Sequence, residues 1–258
     1  MPWTLAHPAA VLPLRRRHGW LPFLGLVIGS LSPDFGYHSG HFDAAKVAHS
    51  LPGLFVVCLP TGLAAAMLLL LFKPVLVELL PQPHRHALST LGGARRWPGA
   101  RELLALAAAV VVGAATHVVW DSFTHGYGLP VQHLPFMRAL LVRVGEHDFR
   151  VYNTLQHAST VVGVTCLLVA YRRWLRRAPA APAGADDGLD RARVLLLLAC
   201  LGAAVAVAIP LAHAAAAESG SERLVSVIVV RTVIYATTFA TLLYLAAALA
   251  WAARRRRA

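Results

Sequence analysis

The stretch LLALAAAVVVGAATHVVWDSFTHGYG, residues 103–128, decides how the chain is read. From Leu103 to about Thr124 it has the length and apolar character needed to cross a hydrocarbon core of about 30 Å. It also sets His117, Asp121 and His125 four residues apart. On a helix, positions i, i+4 and i+8 drift by only about 40° per step, so the three share a face. Ionisable groups inside a membrane helix are costly and turn toward a protein interior or a water-filled cavity. A span carrying such a stripe therefore predicts a polar site inside a membrane protein.

The rest of the chain agrees with that solvent. Of 258 residues, 57% are hydrophobic and only 14% charged, well away from the composition of an ordinary globular domain. Apolar runs at Leu51–Phe72, Val194–Ala217 and Leu224–Trp251 are further spans, and one more extends from about Leu155 to Tyr171. Trp3–Leu14 and Trp20–Leu31 are 12 residues each. At 1.5 Å per residue they reach about 18 Å, too short to cross a bilayer upright. They read as half-helices or a re-entrant pair, tolerated in a membrane only when packed within protein. The expected fold class is all-α: a polytopic helical membrane protein with about five full spans plus two short N-terminal helices.

A net charge of +12 would suit nucleic acid, but its distribution does not. The basic residues fall at the ends of apolar runs: Arg15–Arg17, Arg95 with Arg96 and Arg101, Arg172–Arg177, Arg191 with Arg193, and Arg254–Arg257. That is a topology signal under the positive-inside rule. With the Arg172–Arg193 linker and the basic tail both cytoplasmic, the last two spans form a hairpin whose ESGSER turn lies outside. Counting back, the span holding His117 runs outward and Leu51–Phe72 runs inward. His7, Asp34, His49, His117, Asp121, His125 and His157 then all fall toward the outer face of a cell membrane. Arg15–Arg17 follow the first apolar stretch, which is not the order of a cleavable signal.

The Pro-, Ala- and Gly-rich segment RRAPAAPAGADDGLDRAR reads as a flexible linker. It predicts three parts: a membrane domain over residues 1–171 with the His/Asp cluster, a linker over 172–193, and a C-terminal transmembrane hairpin over 194–258. Cys58, Cys166 and Cys200 sit in apolar segments and are expected as small buried residues outside any disulfide framework.

Imidazole nitrogen and carboxylate oxygen are the usual donors for zinc and similar divalent metals. The ends of the stripe are about 12 Å apart along the axis, long for one ion. Either two neighbouring members bind one ion or Asp121 bridges two. A hydrogen-bonded packing seam is the alternative. TLAHPAAVLP (4–13), GSLSPDFGYHSGHF (29–42) and VAHSLPG (47–53) add His7, Asp34 and His49 at apolar–polar boundaries beside helix-stopping Pro or Gly. The expected metal ligands are His7, Asp34, His49, His117, Asp121 and His125, with zinc favoured and manganese the other candidate. His38 and His41 read as loop residues in water, with extra ligands as the alternative, and His84, His86 and His133 read as solvated. Glu146 and Asp148 read as acids of an outer loop, and Arg231 as a cation inside the last span.

MPWTLAHPAAVLPL (1–14), VIGSLSPDFGYH (27–38), HSLPG (49–53), GAATHVVWDSFTHGYG (113–128) and LQHASTVVG (155–163) resemble the successive motifs of a bacterial membrane-protein family catalogued as a domain of unknown function (four-one-eight-four). The resemblance covers residues 1–171. Its motif positions are His7, Asp34, His49, His117, Asp121, His125, Gln156 and His157. More distantly, the PD, HS and H…D…TH elements resemble inner-membrane metal-dependent hydrolases regulated by the SOS repressor, and the early His followed by PD resembles zinc-dependent phospholipase C. These fainter resemblances imply hydrolysis of a lipid-like ester or phosphoester at the outer side of the membrane. In that chemistry His157 or His49 serves as general acid or base and Asp121 takes part in catalysis. The competing reading is a non-catalytic membrane protein, a metal-binding or transport element or a scaffold, whose His and Asp side chains pack helices together. Its other expected partners are the bilayer and an amphiphilic substrate; nucleic acid is not expected.

Overall fold

The computed structural model describes residues 3–17, 20–91, 98–145, 147–182, 188–218 and 224–255. Its helices in chain order are α1 (Leu14–Arg17), α2 (Phe23–Leu31), α3 (Phe35–His38), α4 (Phe42–Ala48), α5 (Leu59–Glu78), α6 (His84–Ser89), α7 (Ala100–Thr124), α8 (Leu129–His133), α9 (Val151–Leu175), α10 (Asp190–Glu218) and α11 (Leu224–Arg255). Thr4–Val11, Ser32–Asp34 and Pro135–Arg138 wind as 3-10 helices, and Leu54–Cys58 forms a π-helical turn that leads into α5. Five helical segments are long and apolar enough to cross a membrane: Leu54–Glu78, Ala100–His133, Val151–Leu175, Asp190–Glu218 and Leu224–Arg255. The fold is thus that of a polytopic helical membrane protein, and the two short N-terminal pieces are helical but not long enough to span.

Two compact units divide the chain. The first comprises residues 1–68 and 97–172, the second 69–96 and 173–258. Residues 69–96 thus fall in the same unit as the C-terminal hairpin.

In the first unit α2 lies against α7 with almost no space between backbones. A Cβ built on Gly29 would stand 2.1 Å from the Val110 carbonyl oxygen, and one on Gly113 would stand 2.2 Å from that of Leu26. Where lipid surrounds the helices, association rests on close packing and not on hydrophobic burial, so small residues mark the contact. Gly25 and Gly29, spaced by four on α2, are such a pair. Around the crossing Val11, Leu21, Leu26 and Ala109 form one buried apolar cluster, and Ala48, Leu54, Cys58 and Ala114 form another. The second lies one turn from His117.

In the second unit α10 and α11 pack as a hairpin. Ala204, Ala208, Ala212 and Ala216 are all buried at four-residue intervals along α10. Arg193 is also buried here: its Nε donates to the Glu78 carbonyl at 3.1 Å and its Nη1 pairs with Asp190 at 3.1 Å. It therefore closes an exposed carbonyl at the end of α5 instead of lying in solvent as part of the linker's charge. The expectation of three buried cysteines needs correcting: Cys58 is buried, Cys200 is half-buried and Cys166 is exposed on α9, and none is disulfide-bonded.

One pair of strands interrupts the otherwise helical chain. Residues Leu140–Val144 (β1) and His147–Arg150 (β2) pair as a two-stranded antiparallel hairpin between α8 and α9. The ESGSER turn beyond Glu218, Arg95, Arg96, Arg256, Arg257 and Glu146 lie outside the described residues.

Candidate metal centre

Four chain segments carry five side chains to one point in the first unit. His7 comes from the N-terminal 3-10 helix and Asp34 from the 3-10 turn that ends α2. His49 stands at the C-terminus of α4, while His117 and Asp121 come from the last turns of α7. Local chemistry explains each placement. Pro33 is the second residue of the Ser32–Asp34 turn, where the Ser32 hydroxyl donates to the Gly29 carbonyl at 2.8 Å, so the chain tightens at the helix end and carries Asp34 inward. HSLPG is a fold-back: a Cβ on Gly53 would stand 1.8 Å from the Val47 carbonyl oxygen, a spacing only glycine permits. The Gly113 crossing, one turn before His117, presses that imidazole against the end of α2.

The donor atoms meet without bonding one another. His7 Nε2 is 3.5 Å from Asp121 Oδ1; His49 Nε2 is 3.5 Å from Asp34 Oδ1 and 3.6 Å from Asp121 Oδ2. His117 Nε2 is 3.6 Å from Asp34 Oδ1 and 3.5 Å from Asp121 Oδ2. These separations exceed ordinary hydrogen bonds. His7 Nε2, His49 Nε2, His117 Nε2, Asp34 Oδ1 and both Asp121 oxygens are buried without a hydrogen-bond partner. Leaving so many buried polar atoms unsatisfied is expensive in a packed protein. A cation among them removes that cost: nitrogen and oxygen donors about 2.0–2.1 Å from one zinc lie about 3.3–3.4 Å apart at tetrahedral angles.

The outer partners aim these atoms. His117 Nδ1 donates to the Ser30 carbonyl at 2.8 Å and His49 Nδ1 to the Ala45 carbonyl at 2.7 Å. A proton on Nδ1 leaves Nε2 bare, which is how a metal-ligating histidine is commonly held. The Thr4 hydroxyl donates to Asp34 Oδ2 at 2.6 Å, leaving Oδ1 for the cluster. The His7 ring stacks on that of His117 with centroids 3.6 Å apart. Burial first, and then the neighbouring His117, push the His7 imidazole down to about 3, so it is neutral at pH 7 as a ligand must be. Among the described residues no lysine or arginine pairs with Asp34 or Asp121, and two buried carboxylates without such a countercharge suit a divalent cation.

His7, Asp34 and His117 form one group of donors within 4.8 Å of one another, and His49, His117 and Asp121 form another. Both contain His117 Nε2, which has a single lone pair and cannot serve two ions. The two groups therefore overlap in one candidate centre, in which His7, Asp34, His49, His117 and Asp121 could hold a metal ion. His125 stands one step outside it. Its Nδ1 is 3.0 Å from the Asp121 carbonyl oxygen and 3.6 Å from Oδ2, and its Nε2 meets the Gln156 amide nitrogen at 3.3 Å. His157, adjacent to Gln156 and so rotated by about 100° around α9, is exposed, with its ring 6.2 Å from that of Phe149. The structure does not bring it to the cluster.

Of the other candidates, His41 is exposed with Nδ1 against Ser39, His133 is exposed with Nδ1 against the Leu129 carbonyl, and Arg231 meets the Tyr235 hydroxyl at 3.3 Å. Asp148 is held by Arg143 at 2.6 Å and Arg150 at 3.0 Å, away from any role in the cluster. Thr4 is the partner a sequence shows least, a lone Thr before an apolar run, whereas Gln156 is legible through the family motif it shares with His157. Removing the Thr4 hydroxyl in Thr4→Val is expected to leave the fold intact and to weaken metal binding by about 10–100-fold, the usual effect of losing an outer partner. Competition titration with a metal indicator checks this.

The family model described as "Domain of unknown function (DUF4184)" matches residues 1–249, and the chain belongs to that family. The match runs past Tyr171 through most of the C-terminal hairpin, further than the motifs alone reach. No curated protein and no solved structure matches the chain.

Proposed function

We propose that this DUF4184 member is a membrane-embedded, metal-dependent hydrolase acting on a lipid-like ester or phosphoester at the outer side of the cell membrane, with zinc or manganese as its metal. The observation that carries the reading is the convergence of bare, buried Nε2 and carboxylate oxygen atoms from five positions onto one point. A divalent cation there supplies Lewis acidity, lowering the pKa of water toward neutrality and polarising a carbonyl or phosphoryl oxygen.

The chain's own residues divide the remaining work. His7, His49 and His117 supply nitrogen donors, and Asp34 and Asp121 supply the charge that holds the cation. His125 is the nearest imidazole outside the donor set. With Nδ1 directed at Asp121 and Nε2 at Gln156, it is the group suited to moving a proton at neutral pH. The cluster stands at the ends of three spans, before Leu54, late in α7 and beside the start of α9. That position supports a substrate that enters from the bilayer. The charge asymmetry of the loops supports an outward-facing cluster and a cytoplasmic C-terminus, and the resemblance to membrane hydrolases supports the reaction class.

One observation favours a second reading, a metal that only staples the helices. Side-chain exposure is 8% at His49 and 2% at His7, and His117 and Asp34 have none. Structural sites are closed, whereas catalytic ones keep a position open. The test is to reconstitute the full chain with zinc or manganese in liposomes, supply phospholipid and other lipid esters, and follow products by mass spectrometry. Hydrolysis that disappears in Asp121→Asn and falls in Gln156→Ala, which is expected to retain its metal, supports the enzyme. A metal-loaded protein that turns over none of the panel overturns it in favour of the staple.

A further inference from the structure

The segment between α7 and α9 poses a solvent problem of its own. Val131 and Met137 anchor it inward. Leu129, Phe136, Leu140, Leu141, Val142 and Val144, by contrast, are 48% to 70% exposed, an apolar surface unlike that of a loop in water. The hairpin sorts its side chains by face. Val142 pairs with Phe149 and Arg143 with Asp148, so Val142, Val144 and Phe149 share one face. The other face carries the Arg143–Asp148–Arg150 network, in which Arg143 foremost holds the Asp148 carboxyl below its ordinary value. A two-stranded sheet has two open edges whose N–H and C=O groups need water or headgroups, so it cannot sit within hydrocarbon. Its apolar face, equally, does not suit bulk water.

The interface between the two solvents satisfies both conditions, and the chain keeps the hairpin there. The break after Thr124 precedes Leu129 by only four residues, and β2 runs directly into α9, whose Val151 N–H donates to the Ala139 carbonyl at 3.1 Å. We propose that residues 129–145 and 147–150 form an interfacial element that lays the Val142–Val144–Phe149 face on the phospholipid headgroup and upper acyl region of the protein's own bilayer, beside the His/Asp cluster. The arginines of the opposite face reach the phosphate layer and water. This inference uses no metal and no turnover, and it stands whether or not the protein is a hydrolase.

The test places an environment-sensitive fluorophore on the full chain in phosphatidylcholine–phosphatidylglycerol vesicles. The background carries Cys166→Ala and Cys200→Ala, and the labelled variants are Val142→Cys, Val144→Cys and Arg143→Cys. The expected result is a blue-shifted label at 142 and at 144, quenched by lipids with a shallow nitroxide and protected from aqueous iodide. The ratio of lipid to aqueous quenching should be several-fold higher there than at 143. Equal iodide quenching on both faces would put the hairpin in water and overturn the proposal. Protection of residues 142 and 144 from both quenchers would overturn it too, because a protein partner or a second copy would then cover the face.

Discussion

Gly113→Val is expected to abolish the folded first unit. The added Cβ alone would fall 2.2 Å from the Leu26 carbonyl oxygen and 2.8 Å from the Ser30 nitrogen, both of them backbone atoms. No rotamer change relieves a clash with backbone, so α2 and α7 must separate. Overpacking of a core that can adjust costs about 1–3 kcal/mol, and here the obstruction lies at the centre of the crossing. The same movement withdraws the Ser30 carbonyl from His117 Nδ1 and uncouples Asp34, carried just beyond α2, from the α7 ligands. Thermal unfolding in detergent should show a loss of cooperativity, with metal binding lost at the same time. Ala115→Val, two residues away at a half-buried position, provides the comparison and should fold.

Asp121→Asn is expected to remove metal binding while leaving the fold in place. Both oxygens of Asp121 face imidazoles of the cluster: Oδ1 toward His7, and Oδ2 toward His49 and His117. The amide keeps the shape but loses the charge and turns an N–H group toward bare imidazole nitrogens, with which it can hydrogen-bond. The loss of affinity should exceed the about 10–100-fold typical of outer partners. The sign of the stability change separates the two accounts of the cluster. A hydrogen-bonded seam would tolerate or even gain from the amide, whereas a metal site loses the stabilisation that its bound ion provides. Melting temperatures with and without added zinc measure the difference: the wild type should be raised by the ion and lowered by chelator, and Asp121→Asn should respond to neither.

The parts of this account legible in the sequence are those that depend on length and solvent. Val194–Ala217 reads as a span because no Asp, Glu, Lys or Arg interrupts it and His213 is its one ionisable residue, and α10 extends that run only a little at either end. His7, Asp34 and His49 stand out because each falls where Pro or Gly stops a helix beside an apolar run. Their convergence on His117 is not legible, since it depends on how closely α2 meets α7. The glycine pair at 25 and 29 was the available signal for that contact. The periodicity of the 117–121–125 stripe suggests three equivalent members, but α7 ends at Thr124 and His125 leaves the helix in an extended conformation. Its ring therefore turns to Gln156 instead of joining Asp121 in the donor set. The hairpin at 140–150 escapes notice because LLVRV is too short to show a period, and strand pairing is decided by the turn and the partner. The buried alanines of α10 look in sequence like generic apolar filler.

The central claim is that His7, Asp34, His49, His117 and Asp121 hold one divalent cation. Elemental mass spectrometry on the detergent-purified full chain, after exposure to zinc or manganese and removal of excess, tests it most directly when run beside the His117→Ala, Asp121→Ala double variant. The account predicts about one ion per wild-type chain, the count set by the shared His117 nitrogen, and background metal in the variant. Wild-type protein that stays metal-free with either ion, or a variant that retains the wild-type amount, would contradict it.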